Sequence, residues 1–171
     1  MLGKKVLKDS LGLLKTLIRL WPLTLLVCLA YGAALYFLGF NFTSSLPYYV
    51  VWIERGVVPK TGDLMVYYYS GMDLKSYGYI KGIRFFKRVA GKEGDTIAVN
   101  GRQVSINGKL VGEAKPFANH GAIKLDPIDA GTIPKGYLFA QGDSPNSFDS
   151  RYKQSGLVPL NKVQGVAHVI F

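Results

Sequence analysis

The 171-residue chain is 49% hydrophobic and 19% charged, with 20 glycines and 11 tyrosines, which excludes a disordered or low-complexity chain and leaves room for one ordinary domain plus an appendage. Twenty-one Lys and Arg against eleven Asp and Glu leave a net +10. Five of those basic residues stand against one acid in residues 1–19, and the remainder is scattered. A nucleic-acid groove would cluster the charge among aromatics, so no nucleic-acid partner is expected.

Residues 1–19 form a basic segment, and residues 20–40 (LWPLTLLVCLAYGAALYFLGF) run without a charge. At about 1.5 Å per residue that run spans a bilayer core of about 30 Å. It is longer than a signal-peptide core, and no small-x-small site closes it. Pro22 is expected in the first turn of this transmembrane helix, where its missing N–H is harmless. Cys28, the single cysteine, cannot form an intrachain disulfide and reads as a small buried hydrophobe. The basic flank holds the N-terminus in the cytoplasm and sends residues 41–171 across the membrane, with residues 20–40 contacting lipid. For a bacterium this means a single-pass inner-membrane protein with a periplasmic domain.

After Pro47 the pattern becomes short β-branched and aromatic segments bounded by Gly, Pro, Asn and Asp: residues 48–53, 63–69, 83–90, 137–141 and 166–171. TIAVNGRQVSI (96–106) reads as a hairpin with a type I′ turn at Asn100-Gly101, and a second Asn-Gly follows at 107–108. Residues 112–136 read as loop with short extended pieces. The expected fold is mainly β, an antiparallel domain behind one membrane helix.

Two histidines, His120 and His168, are too few and too scattered for a metal site. His168 falls in a strand pattern and reads as packed, His120 as exposed loop. Three other segments can carry chemistry: Asn41-Phe42-Thr43-Ser44-Ser45-Leu46-Pro47, the apolar strand around Lys87, and residues 142–152 (GDSPNSFDSRY). A serine needs a base to take its proton. A lysine serves as that base once burial among apolar groups lowers its pKa.

In this order the segments resemble the S26-family Ser/Lys signal peptidases. In that family an anchor leads into the nucleophile segment, followed by a Lys-Arg-Val-x-Gly-x-x-Gly-Asp box (here 87–95) and a Gly-Asp…Asn-Ser-x-Asp-Ser-Arg box (here 142–151). Asn41, Thr43, Ser45 and Pro47 match the conjugative-transfer branch, the TraF-type pilin-maturation peptidases. Tyr49 stands where that branch has Gly and Val51 where it has Tyr, and the third box is one residue shorter than in general signal peptidases.

The resemblance implies a serine endopeptidase with Ser45 as nucleophile and Lys87 as general base. Thr43 is then an oxyanion donor beside the Ser45 N–H, and Ser147 a hydrogen-bond partner that orients Lys87. Asp149 and Arg151 become a structural ion pair, extended by Arg88. Ser44 is the competing nucleophile. No cofactor or metal is implied. The implied substrate is an exported precursor, pilin first, cut and then joined head to tail. A housekeeping signal peptidase and a non-catalytic β module of a secretion assembly are the alternatives. With the helix ending at Phe40, Ser45 lies within about 18 Å of the bilayer surface.

Overall fold

A computed structural model describes residues 2–74, 81–118 and 123–171; His120 lies outside them. The chain divides into two compact units, residues 1–37 and 38–171.

The first unit is one helix, α1 (Leu2–Phe37). It absorbs the basic segment, so Pro22 lies well inside it rather than in a first turn. There the proline removes one backbone hydrogen bond, a loss that membrane helices tolerate. The stretch Ile18–Phe37 is long and apolar enough to cross a membrane, and none of it is buried. The Thr24 hydroxyl donates to the Leu20 carbonyl one turn back, satisfying itself within the helix. Cys28 is exposed, not buried.

The helix stops three residues short of the sequence expectation, because Leu38–Phe40 form strand β1, paired with β2 (Val50–Arg55). Ser45 is therefore eight residues past the helix end rather than five.

The second unit is mainly antiparallel β. Its large sheet runs β1-β2-β13-β3-β4-β11-β12, adding β3 (Leu64–Tyr68), β4 (Arg84–Lys92), β11 (Tyr137–Gln141), β12 (Val158–Pro159) and β13 (Val163–Val169). Alternate residues of β3 feed two different apolar clusters: Leu64 and Val66 pack with Phe86 and Ile53, Met65 and Tyr67 with Val89 and Leu138. Burial on both faces explains why this strand reads as a continuous apolar run. β4 pairs with β3 over residues 84–88 but with β11 only over 88–92. Among the described residues, its edge away from β3 is thus free of a neighbouring strand over residues 84–87.

A second sheet, order β10-β5-β6-β7, comprises β5 (Thr96–Asn100), β6 (Gln103–Ile106), β7 (Lys109–Glu113) and β10 (Gly131–Thr132). β8 (Phe117–Ala118) and β9 (Ile123–Lys124) form a short ribbon, the extended pieces expected in residues 112–136. The β5–β6 turn differs from expectation. Asn100 pairs with Gln103, so the central residues are Gly101 and Arg102, and only Gly101 (φ 60°) has positive φ. That is a type II′ pattern. The reason is register: it sets Ile97 opposite Ile106 and Val99 opposite Val104, and this apolar pairing decides where the turn falls. The type I′ turn is the next one, with Asn107 (φ 49°) and Gly108 (φ 80°) between Ile106 and Lys109.

Candidate active site

Asn41 is 5% exposed and organises the loop after β1. Its side-chain NH2 donates to the carbonyls of Thr43 (3.0 Å), Leu46 (3.3 Å) and Tyr48 (2.9 Å). Three carbonyl partners fix which end of the amide is nitrogen, so Oδ1 must face Thr43. It accepts from the Thr43 backbone N–H (3.2 Å) and from the Thr43 hydroxyl (2.7 Å). Thr43 Oγ1 has then given its only proton away. The 2.8 Å contact between the Thr43 and Ser45 hydroxyls must have Ser45 as donor. The hydrogen bonds run in one direction, Ser45 to Thr43 to Asn41. Ser45 is buried, whereas Ser44 is exposed.

The Ser45 carbonyl is also held, accepting from the backbone N–H groups of Asp143 (2.9 Å) and Ser144 (3.2 Å). The third motif box thus clamps the first. Gly142 makes that approach possible: a Cβ there would sit 2.0 Å from Ser147 Oγ and 3.0 Å from the Ser45 carbonyl oxygen.

Lys87 comes from β4, directly opposite the fully buried Met65 of β3. It is 4% exposed, with Nζ 5.5 Å from the centroid of the Phe85 ring. Burial lowers its pKa from 10.5 to about 8; Arg151 pushes the same way, and Asp149 and Asp143 oppose it. Ser45, Lys87, Thr43 and Ser147 all line one cavity of about 490 Å³.

Behind the cavity, Arg151 and Asp149 form a buried bidentate ion pair, both contacts 2.9 Å. Asp149 also accepts from the Gly142 N–H (2.8 Å), and the Arg151 guanidinium donates to the carbonyls of Ser147 (3.0 Å) and Glu113 (3.2 Å). The pair cross-braces the turn that carries Ser147.

Three expectations need correction. Arg88 does not extend the Asp149–Arg151 pair. Successive strand residues point to opposite faces, so with Lys87 inward Arg88 faces out, where it chelates Asp143 (2.9 and 3.1 Å) and reaches the Tyr48 hydroxyl (3.1 Å). Ser147 is buried at the cavity wall, but its hydroxyl makes no hydrogen bond among the described residues, so the expected bond to Lys87 is not formed. His168 is exposed rather than packed. It sits opposite Trp52 and pairs with Glu54 (2.8 Å) on the outer side of β2, whose inward positions belong to Val51 and Ile53.

The sequence reading missed the hydrogen-bonding part played by Asn41, whose one signal was its spacing of two from Thr43 and four from Ser45. It also missed Asp143 as the partner of Arg88, for which no local signal existed.

A buried serine hydroxyl and a desolvated lysine amine line one cavity of an antiparallel β unit, an arrangement that fits the class of serine hydrolases. The comparisons agree with that class. The family described as "Signal peptidase, peptidase S26" matches residues 12–171, and the chain belongs to it. Signal peptidase I S of Bacillus subtilis (strain 168) is 33% identical over 52% of this chain and 52% of its own length. The probable signal peptidase I-2 of Synechocystis sp. is 36% identical over 51% of this chain and 38% of its own. The chain thus spans about half or less of the length of these relatives. A signal peptidase I from Enterococcus faecalis is 26% identical in its solved structure, with a TM-score of 0.41 over 64% of this chain and 96% of that one.

Proposed function

We propose that this chain is a membrane-anchored serine endopeptidase with Ser45 as nucleophile and Lys87 as general base. The observation that carries the reading is a buried lysine, lowered to about 8, lining the same cavity as a serine hydroxyl. Once the Ser45 hydroxyl turns from Thr43 toward the amine, neutral Lys87 takes its proton as Oγ attacks the scissile carbonyl, and the protonated amine returns it to the leaving nitrogen. The oxyanion is met by the Ser45 N–H and, after Thr43 turns its hydroxyl away from Asn41, by Thr43 Oγ1. Water or an amine then releases the acyl group. The free edge of β4 at residues 84–87 suits an extended peptide added as a strand.

The basic N-terminal flank supports a cytoplasmic N-terminus and an exported β unit, so the substrates are exported precursors. Conjugative pilin is the first candidate, supported by the Asn41, Thr43, Ser45 and Pro47 pattern. General signal-peptide removal is the second, favoured by the relatives that carry the name signal peptidase I. If a tethered pilin amine deacylates Ser45, the product is cyclic and weighs about 18 Da less than the linear chain, because effective concentration favours the amine over water.

Ser45→Ala and Lys87→Ala are expected each to abolish processing, and the double variant to be no worse, since the two groups act as a unit. Lys87→Arg also fails, because a guanidinium does not deprotonate. Processing retained in Ser45→Ala and lost in Ser44→Ala would move the nucleophile. Processing untouched by every one of these changes would leave a non-catalytic module.

A further inference from the structure

Arg84 opens β4, three residues before Lys87 and about 10 Å from it along the strand. It lines the same cavity as Ser45 and Lys87. The lining residues include two cations, Arg84 and Lys87, and no acidic side chain. Arg84 and Arg88 share the face of the strand opposite to Lys87, so Arg84 meets the cavity from its outer, solvent-exposed side; the Arg88 guanidinium is occupied by both oxygens of Asp143 and by the Tyr48 hydroxyl. The Arg84 side chain is exposed and makes no ion pair or hydrogen bond among the described residues, while its backbone pairs with Tyr68 of β3. Its neighbours in the wall include Phe40, Phe42, Ile83 and Phe85.

We propose that Arg84 is a carboxylate-recognition residue of this cavity, selecting substrates that carry a carboxylate within about four residues of the scissile bond. The inference rests on the peptidase reading and narrows its substrate class. A peptide laid along the free edge of β4 from Lys87 toward Arg84 covers three residues, and the arginine stem adds reach. The planar guanidinium can take both oxygens of a carboxylate at once, a geometry an ammonium cannot offer. That carboxylate can come from an Asp or Glu side chain or from a free C-terminus.

The test uses the full chain in detergent micelles and peptides carrying an Ala-x-Ala cleavage site. Glu or Gln is stepped through four positions on either side of the cut, and a second set ends in a free carboxylate or an amide at the same distances. One position or an adjacent pair is expected to favour the carboxylate by about 2- to 5-fold in kcat/KM, mostly through KM. The responsive set tells side chain from C-terminus. Arg84→Gln should bring the ratio to about one, and Arg84→Glu should make a Lys peptide the better substrate at the same position. Equal cleavage of every carboxylate and neutral pair by the unaltered chain overturns the inference and leaves the peptidase reading standing. A preference that survives Arg84→Gln also overturns it. If no peptide is cleaved, both readings fall.

Discussion

Two ion pairs anchor the turn of residues 142–151, and they solve different problems. Asp149–Arg151 is sealed in the interior, its side chains 0% and 3% exposed, with backbone groups filling the remaining hydrogen-bonding positions. Arg88–Asp143 has the same bidentate geometry at the rim, with side chains 36% and 31% exposed. The inner pair holds the backbone on which Ser147 stands. The outer pair ties β4 to the segment whose N–H groups clamp the Ser45 carbonyl. Identical chemistry therefore has unequal energetic weight, because water screens one pair and not the other.

Breaking the inner pair should have the largest effect. Asp149→Asn leaves the Arg151 charge buried without its counter-ion and should cost about 3–5 kcal/mol in unfolding free energy. Replacing both residues with apolar groups of similar volume should recover part of that loss, since no stranded charge remains. A double variant as unstable as Asp149→Asn would show that the carbonyl contacts of Arg151, rather than its charge, hold the turn.

Lys87 sharpens the contrast, as a buried cation with no ion-pair partner among the described residues. Its pKa falls from 10.5 to about 8 on folding, equivalent to about 3 kcal/mol. Between those values the unfolded chain binds more protons than the folded one, so stability rises with pH. The penalty is fully present below about pH 8 and is relieved as pH climbs toward 10.5. The buried Tyr67 hydroxyl, whose pKa burial raises, limits the gain at the alkaline end. Lys87→Met should therefore stabilise the β unit by about 3 kcal/mol at pH 7, and its advantage should shrink as pH increases. In the active protein, processing should climb through about pH 8 as the amine loses its proton. A rate that levels off near pH 5 would point to a carboxylate base.

Gly142 tests the clamp between the boxes. A methyl group there meets Ser147 Oγ at 2.0 Å and Ser147 Cβ at 2.4 Å, so Gly142→Ala should cost about 1–3 kcal/mol through overpacking. It should also lower processing, because the displaced turn carries the N–H groups that hold Ser45. Normal stability with normal processing would mean that the turn moves freely, against the bracing assigned to Asp149–Arg151.

What was legible in the sequence follows the same division between local and long-range causes. The expected strands at residues 48–53, 63–69, 83–90, 137–141 and 166–171 announce themselves by local composition and overlap the observed 50–55, 64–68, 84–92, 137–141 and 163–169, with ends off by up to three residues, and the motif boxes announce themselves by spacing. The partner of Arg88 could not be read, because it depends on which face of β4 turns inward and on what lies 55 residues away. The β5–β6 turn was misplaced because an Asn-Gly signal at residues 100–101 competes with the pairing of Ile97 and Val99 across the ladder, and pairing wins. His168 was misread for a related reason: alternation within β13 does not reveal that Trp52 and Glu54 occupy the outer side of the neighbouring strand. The helix end was missed because Leu38, Gly39 and Phe40 are as apolar as the residues before them and differ only in having β2 to pair with.

The outer pair should show the smallest effect, and its size decides whether it belongs to the scaffold at all. Arg88 and Asp143 are each about one-third exposed, so salt and solvent screen their attraction, and a double-mutant cycle of Arg88→Ala with Asp143→Ala should give a coupling of about 0–1 kcal/mol. The bidentate geometry and the added Tyr48 contact place it toward the upper end of that range. Because the pair is screened, the coupling should fall between 0.05 and 0.5 M salt, where the Debye length shrinks to a few ångströms. The Asp149–Arg151 coupling should hardly change over the same range. Asp143 also opposes the lowering of the Lys87 pKa, so Asp143→Ala should move the alkaline rise in processing slightly toward lower pH at a stability loss of no more than about 1 kcal/mol. A rise that moves the opposite way would mean that Asp143 acts by positioning the Ser45 carbonyl clamp, and that its charge is not felt in the cavity.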